Sequence, residues 1–332
     1  MSRIWEKNLA YSILRPYVDA CTRASYRRLT FSGDLPEDGA VIIAPNHTST
    51  LMDALVILSS RRGRTVFGAR ADIFHKPLVA KILRFLRILP MARLRDGFES
   101  VLHNREIFAE IDDVLANGIP FCLFAEGKHR PMHSLLPIGK GVARIAFASA
   151  RERKTYIVPT GIDHGSFFRY RRSCKVTFGE PIDVNAFLKA HEHDSEAETF
   201  KEFRRVLFRR ISSLITYVPD DENYANRWEE VRTKRESRPW LAVLTAPLFL
   251  LAAILCLPMW VTAEVLCRRA KDHAWNNTIR YGVRLLGTPL MLLFWLLVLP
   301  GWWKLGAILF LFSYSFFYDW LNLTPSPGIG EE

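Results

Sequence analysis

A chain of 332 residues is long enough for one large catalytic domain or two smaller ones, and at 49% hydrophobic it fills a core with apolar segments to spare. Lys and Arg outnumber Asp and Glu by 45 to 34, a surplus that suits an acidic membrane surface or a phosphorylated substrate; aromatics are too sparse among the basic stretches for a nucleic-acid binder. The five cysteines are scattered without a CxxC pair, which argues against structural zinc and fits a reduced, cytosol-facing protein.

The opening run MSRIWEKNLAYSILRPYVDA has no unbroken apolar stretch, so it is no signal peptide. Residues 1–30 read as amphipathic, membrane-proximal helices. From 31 to 218 strands and helices alternate. AVIIA (40–44), β-branched and ending at Pro45, reads as a buried strand. TSTLMDALVILSSR follows with Leu51, Leu55 and Leu58 at helical spacing. RTVFGAR (64–70) reads as a strand, KPLVAKILRFLRIL (76–89) as a basic amphipathic helix, and 98–116 as a helix closed by Gly118. IPFCLFAEG (119–127) is a buried strand, KGVARIAFASA a helix, and TYIVPTGI and CKVTFGEPI two more strands. A helix over 200–215 carries Arg204, Arg205, Arg209 and Arg210, which fit anionic headgroups and plain solvent equally. This alternation predicts an α/β fold, a mixed, mostly parallel sheet flanked by helices, followed by C-terminal hydrophobic membrane helices.

Past a linker at 219–239, charge disappears. Residues 239–263, 285–303 and 305–318 are uncharged, and the first two reach the roughly 20 residues that a bilayer crossing needs. Trp240, Trp260, Trp302, Trp303, Tyr318 and Trp320 stand near the edges, as in an interfacial belt. The membrane segments are expected at about 240–263, 285–303 and 305–320, with 322–332 as a disordered tail. VRTKRESR precedes the first segment and CRRAK follows it, so the positive-inside rule keeps both flanks cytoplasmic. A re-entrant hairpin broken at Pro247 and Pro258 satisfies that better than a straight crossing.

His47 and Asp53 lie just past the first buried strand, where α/β sheets gather their ligands. Within one helix six residues would turn them apart. They meet if His47 stays in the loop and Asp53 lies a turn into the helix, with Thr48 or Ser49 as N-cap. The carboxylate then fixes the imidazole tautomer and leaves the other ring nitrogen free as a base. Alone, such a pair is more often structural. A second strand end carries Glu126 and Gly127, then Lys128, His129 and Arg130, and PMARLRD adds Arg93 and Arg95. Gly127 lets backbone amides approach a ligand, and the cations supply charge for a phosphate. Together they describe a phosphorylated alcohol held with its hydroxyl near His47.

The runs NHTSTLMD, PMAR, FAEGKHRPMHSLLPIGKG and IVPTGI stand in the order and spacing of the four motif blocks of the glycerophosphate acyltransferases, which this chain resembles over roughly residues 10–182. The resemblance implies His47 as general base and Asp53 as its orienting carboxylate. It implies Asn46, Arg93, Glu126, Gly127, Lys128, His129 and Arg130 around the substrate, and Pro159 in the block linked to acyl binding. Five residues separate His47 from Asp53, where the commonest family pattern has four; Ala125 replaces the usual Pro, and Lys128-His129 the usual Thr-Arg or Ser-His. The wider spacing resembles a sub-branch with glycerol-3-phosphate and dihydroxyacetone-phosphate acyltransferases. The implied reaction moves an acyl group from acyl-CoA or acyl-carrier protein to the hydroxyl of 1-acylglycerol-3-phosphate (lysophosphatidate) in phospholipid synthesis, with glycerol-3-phosphate or dihydroxyacetone phosphate as the other acceptors and a catalytically inactive, lipid-binding relative as the rival reading. The reaction uses no cofactor or metal, with backbone amides at the oxyanion and the catalytic domain on the cytoplasmic face of a phospholipid membrane. HEHD (191–194) reads as an exposed acidic loop, and Asn276-Asn277-Thr278 as a glycosylation acceptor only if lumenal.

Overall fold

The computed structural model describes residues 3–91, 98–231, 238–301, 304 and 306–323, with backbone alone for 98–105. Arg93, Arg95, Trp302, Trp303 and the 324–332 tail lie outside them. The N-terminal stretch holds one helix, α1 (Leu9–Arg23), and its last residues already belong to β1 (Arg28–Ser32). Then come β2 (Ala40–Pro45), α2 (Thr50–Ser59), β3 (Val66–Arg70), α3 (Pro77–Phe85) and β4 (Ile88–Met91). They are followed by α4 (Phe98–Ala116), β5 (Phe121–Leu123), α5 (Lys140–Glu152), β6 (Thr155–His164), β7 (Ser173–Phe178), β8 (Ile182–Asp183), α6 (Val184–Ala190) and α7 (Glu196–Ser212). After α8 (Tyr224–Val231) the chain is helical: α9 (Pro239–Leu244), α10 (Ala246–Leu255), α11 (Leu257–Arg269), α12 (Asn276–Val298) and α13 (Gly306–Leu321).

The strands form one sheet in the order β1-β7-β6-β2-β5-β3-β4, with β8 beside β6. Every pairing is parallel except β6 with β7 and β6 with β8, which is the mixed, mostly parallel α/β sheet expected. All six residues of β2 are buried, because helices cover both faces of the sheet at its centre. One face packs Ile42, Phe121 and Ile157 against α4, α5 and α7; the other packs Ile43, Cys122 and Val158 against α1 and α2.

Two strands escape the sequence reading. The run to Leu89 was expected as helix, but α3 stops at Phe85 and β4 pairs with β3. Arg87 (φ +63°) turns the chain there, and Pro90 is tolerated because β4 is an edge. β1 is an edge too, paired only with β7, and its partly exposed residues carry no clean alternation.

In the C-terminal region α10 and α11 meet at 83° across Cys256, with Pro258 in the first turn of α11. A bend of that size fits a broken span as well as the expected re-entrant hairpin. Among the described residues, His273–Val298 is the one unbroken helical span long and apolar enough to cross a membrane, and α10 with α11 passes the same test only as a pair. The former starts well before the uncharged stretch, because its arginines are partnered inside the fold. Arg280 bonds Glu264 and the Phe168 carbonyl; Arg284 bonds the Tyr170 and Ser315 hydroxyls. The outer faces of these helices expose Val243, Leu250, Ile254, Leu290, Leu297 and Phe312.

Candidate active site

The site forms where β2 and β5 end side by side. β2 stops at Pro45, and the chain turns through His47 before entering α2. His47 Nδ1 lies 2.8 Å from Asp53 Oδ2. The same oxygen accepts the backbone N–H groups of Thr48 and Ser49, each at 2.7 Å. The expected side-chain cap is absent: Ser49 occupies the N-cap position but makes no capping bond, and Asp53 reaches back to satisfy the amides instead. Residues 47–53 close into one ring with Thr50 at φ +46°, the left-handed region that β-branched side chains avoid.

Asp53 is completely buried. Its other oxygen is 2.8 Å from Nε2 of His164, the last residue of β6. Burial favours the protonated acid, but the bonds from His164 and His47 outweigh it and hold the carboxyl well below the usual carboxylate range. His164, itself buried, is pushed the other way: desolvation opposes its charge, yet neighbouring Cys174 and Asp53 raise its pKa above the ordinary histidine value. Sequence reasoning missed His164. β6 pairs with β2 as far as Thr160 and runs four residues further, which lifts His164 over the end of β2. A histidine at a strand end was the visible signal; the neighbourhood of β6 and β2 was not.

The turn after β5 supplies the other wall. Glu126 Oε1 accepts the His47 N–H at 2.6 Å, and Oε2 accepts the Leu136 N–H at 2.7 Å. Its expected place beside substrate is thus taken by backbone. Burial raises its pKa to about 7 against the two amides that favour the anion. Asn46 is likewise turned into the sheet, because the β2–β6 junction leaves backbone groups to satisfy there. It is 1% exposed, its amide donates to the Ile162 carbonyl at 3.0 Å, and its Oδ1 accepts the Ile162 N–H at 2.7 Å. Gly127 needs its freedom for φ +65°; a Cβ there would meet open space.

Lys128 is exposed. Arg130 pairs with Asp220, donates to Ser134 Oγ at 3.0 Å, and its N–H bonds the His47 carbonyl at 3.1 Å. The His129 ring stands edge-on to His47 at 5.7 Å, and its Nε2 lies 2.9 Å from Asp272, between α11 and α12. Phe124 stacks on His47 at 4.1 Å and fixes the plane of the ring. With Nδ1 engaged by Asp53, Nε2 of the partly exposed His47 is the nitrogen left without a partner in that pair. Pro159 sits in β6 paired with Ala44 of β2, a sheet position rather than a mouth.

The Acyltransferase family model matches residues 28–163. Over 122 residues the chain is 29% identical to Glycerol-3-phosphate O-acyltransferase 2 of Saccharomyces cerevisiae, a stretch covering 36% of this chain and 16% of that protein. Among solved structures, the 1-acyl-sn-glycerophosphate (LPA) acyltransferase PlsC of Thermotoga maritima is similar over 62% of this chain and 81% of its own, at 21% identity and a TM-score of 0.43. The likeness to the Acyltransferase family is therefore confined to residues 28–163, less than half of the chain, and the chain spans only a small part of the curated relative it matches.

Proposed function

We propose that the protein is a membrane-bound O-acyltransferase that moves a fatty acyl group from acyl-CoA or acyl-carrier protein to the hydroxyl of 1-acylglycerol-3-phosphate. The 2.8 Å contact between His47 Nδ1 and Asp53 Oδ2, beside the basic turn 128–130, carries this reading. His47 Nε2 takes the proton of the acceptor hydroxyl while its oxygen attacks the thioester carbonyl. The C–O bond forms, the tetrahedral intermediate collapses, the C–S bond breaks, and the leaving sulfur receives the proton from His47. Lys128 and Arg130 hold the acceptor phosphate, and the resemblance of the second motif block assigns Arg93 the same substrate. The amides of Thr48 and Ser49 are spent on Asp53, so the oxyanion falls to the 127–129 turn, where the N–H groups of Lys128 and His129 have no acceptor among the described residues.

Glycerol-3-phosphate is the second acceptor we consider, because the Saccharomyces cerevisiae relative is named for it. The exposed apolar faces of α10, α12 and α13 support a reading in which the enzyme sits in a phospholipid bilayer, and the basic stretches either side of α10–α11 in the sequence favour a cytoplasmic sheet. The test is to incubate purified full-length protein with labelled acyl-CoA or acyl-carrier protein and each acceptor in turn. Transfer to 1-acylglycerol-3-phosphate is expected, falling at least a thousandfold in His47→Ala while folding and membrane association persist. Transfer that survives His47→Ala overturns the mechanism. Transfer to glycerol-3-phosphate alone overturns the acceptor.

A further inference from the structure

Thr50 lies three residues after His47 and three before Asp53, and it alone of the segment has a positive φ, +46°. A β-branched residue holds that conformation only when something outside the loop fixes it. The structure shows what does. Thr50 Oγ1 is 2.7 Å from Oγ1 of Thr278, in the first turn of α12, and both residues are buried. The same segment touches the opposite side of the site through Asp272 and His129. It is itself pinned to the loop after His164, where Asn277 Nδ2 donates to the Phe167 carbonyl at 2.8 Å and Arg280 Nη1 to the Phe168 carbonyl at 2.7 Å. The start of the apolar helix is therefore anchored to the sheet domain at the point where it meets Thr50.

We propose that Thr278 is a positioning residue for His47. Its hydroxyl holds Thr50 in the left-handed conformation that lets five residues, rather than four, bridge the imidazole and its carboxylate. Without that bond Thr50 relaxes toward negative φ. The chain direction between Ser49 and Leu51 changes, and Asp53 must give up either the Thr48 and Ser49 amides or His47. The C-terminal segment thus completes the site from outside the sheet, with the buried Thr278 hydroxyl committed to Thr50. This inference rests on the acyl-transfer reading, and its test separates the two.

Full-length protein in detergent is assayed as Thr278→Val and Thr278→Ser, each in the natural background and with Thr50→Gly. Thr278→Val is expected to lower kcat about tenfold with the acceptor KM nearly unchanged, a loss of the order of one buried hydrogen bond, and Thr278→Ser to restore most of it. In the Thr50→Gly background the same substitution is expected to cost less than about twofold, since glycine adopts positive φ unaided. An equal loss in both backgrounds, no loss in either, or failure of serine to rescue overturns the proposal. The rate at which diethyl pyrocarbonate modifies His47, read by mass spectrometry, reports the tie without turnover. It is expected to change in Thr278→Val and not between Thr50→Gly and the double variant; a Thr278→Val protein modified like the natural one refutes the tie. Should the natural protein acylate none of the acceptors, the functional reading fails while this second measurement still decides the role of Thr278.

Discussion

Glu126 ties two distant backbone amides together, one beside the candidate base and one at Leu136. Its carboxyl titrates at about 7 in the folded protein against an ordinary 4.5, because burial outweighs the amide bonds. A folded-state pKa above the unfolded one means that folding favours the protonated form. The contribution is complete below pH 4.5 and is lost as pH rises through about 7, worth roughly 3 kcal/mol by linkage. Thermal midpoints of the natural protein should therefore decline between pH 5 and pH 8. Glu126→Gln should flatten that decline. It should also lower the midpoint at pH 5, since an amide accepts one N–H but turns a donor toward the other, at about 1–3 kcal/mol. A pH profile unchanged by Glu126→Gln refutes the assignment.

Among the elements, β6 has the most demanding position. It pairs with β2 on one side and with β7 and β8 on the other, and Gly161 within it faces the end of α7. A Cβ on Gly161 would stand 2.6 Å from Leu214 Cβ and 2.7 Å from the Leu214 carbonyl oxygen. Gly161→Ala should therefore push Leu214 away and cost about 1–3 kcal/mol in denaturant unfolding, without touching the His47–Asp53 pair directly. The central elements were legible in the sequence because their signals are local. The β-branched run of β2, the leucines of α2 and the glycine turn after β5 each declare themselves within ten residues. His47 and Asp53 followed from one strand end and one helix start. What stayed hidden is nonlocal. β1 and β4 depend on a partner strand, His164 on the sheet order that sets β6 beside β2, and Thr278 on how α12 docks more than two hundred residues after Thr50. Asn46 and Glu126 carry motif letters, yet the fold spends their side chains on backbone groups that no spacing reveals.

At the scale of the whole molecule, a basic chain of net charge +11 carries two kinds of surface that suit the proposed membrane attachment. One is electrostatic. The other is the apolar exterior of α10, α12 and α13, reinforced by Leu9 and Ile13 on α1 and by Leu78 and Ile82 on α3, all close to half exposed or more. These two attachments respond oppositely to salt. If the apolar helices dominate, washing membranes with 1 M salt or alkaline carbonate, on the order of a tenfold rise in ionic strength over physiological, should leave the protein in the pellet, and detergent should release it. Release by salt alone would show that charge holds it there and that the C-terminal helices are not inserted.

Three donors on one oxygen of Asp53 and one on the other leave that carboxylate saturated, since it offers about four lone-pair sites. Held well below the usual carboxylate range, it stays ionised and keeps the hydrogen ion on the imidazole. In the reaction proposed, whatever the imidazole removes from one substrate it must return to the other before the products depart. Each cycle then leaves the surrounding buffer neither more acidic nor more alkaline.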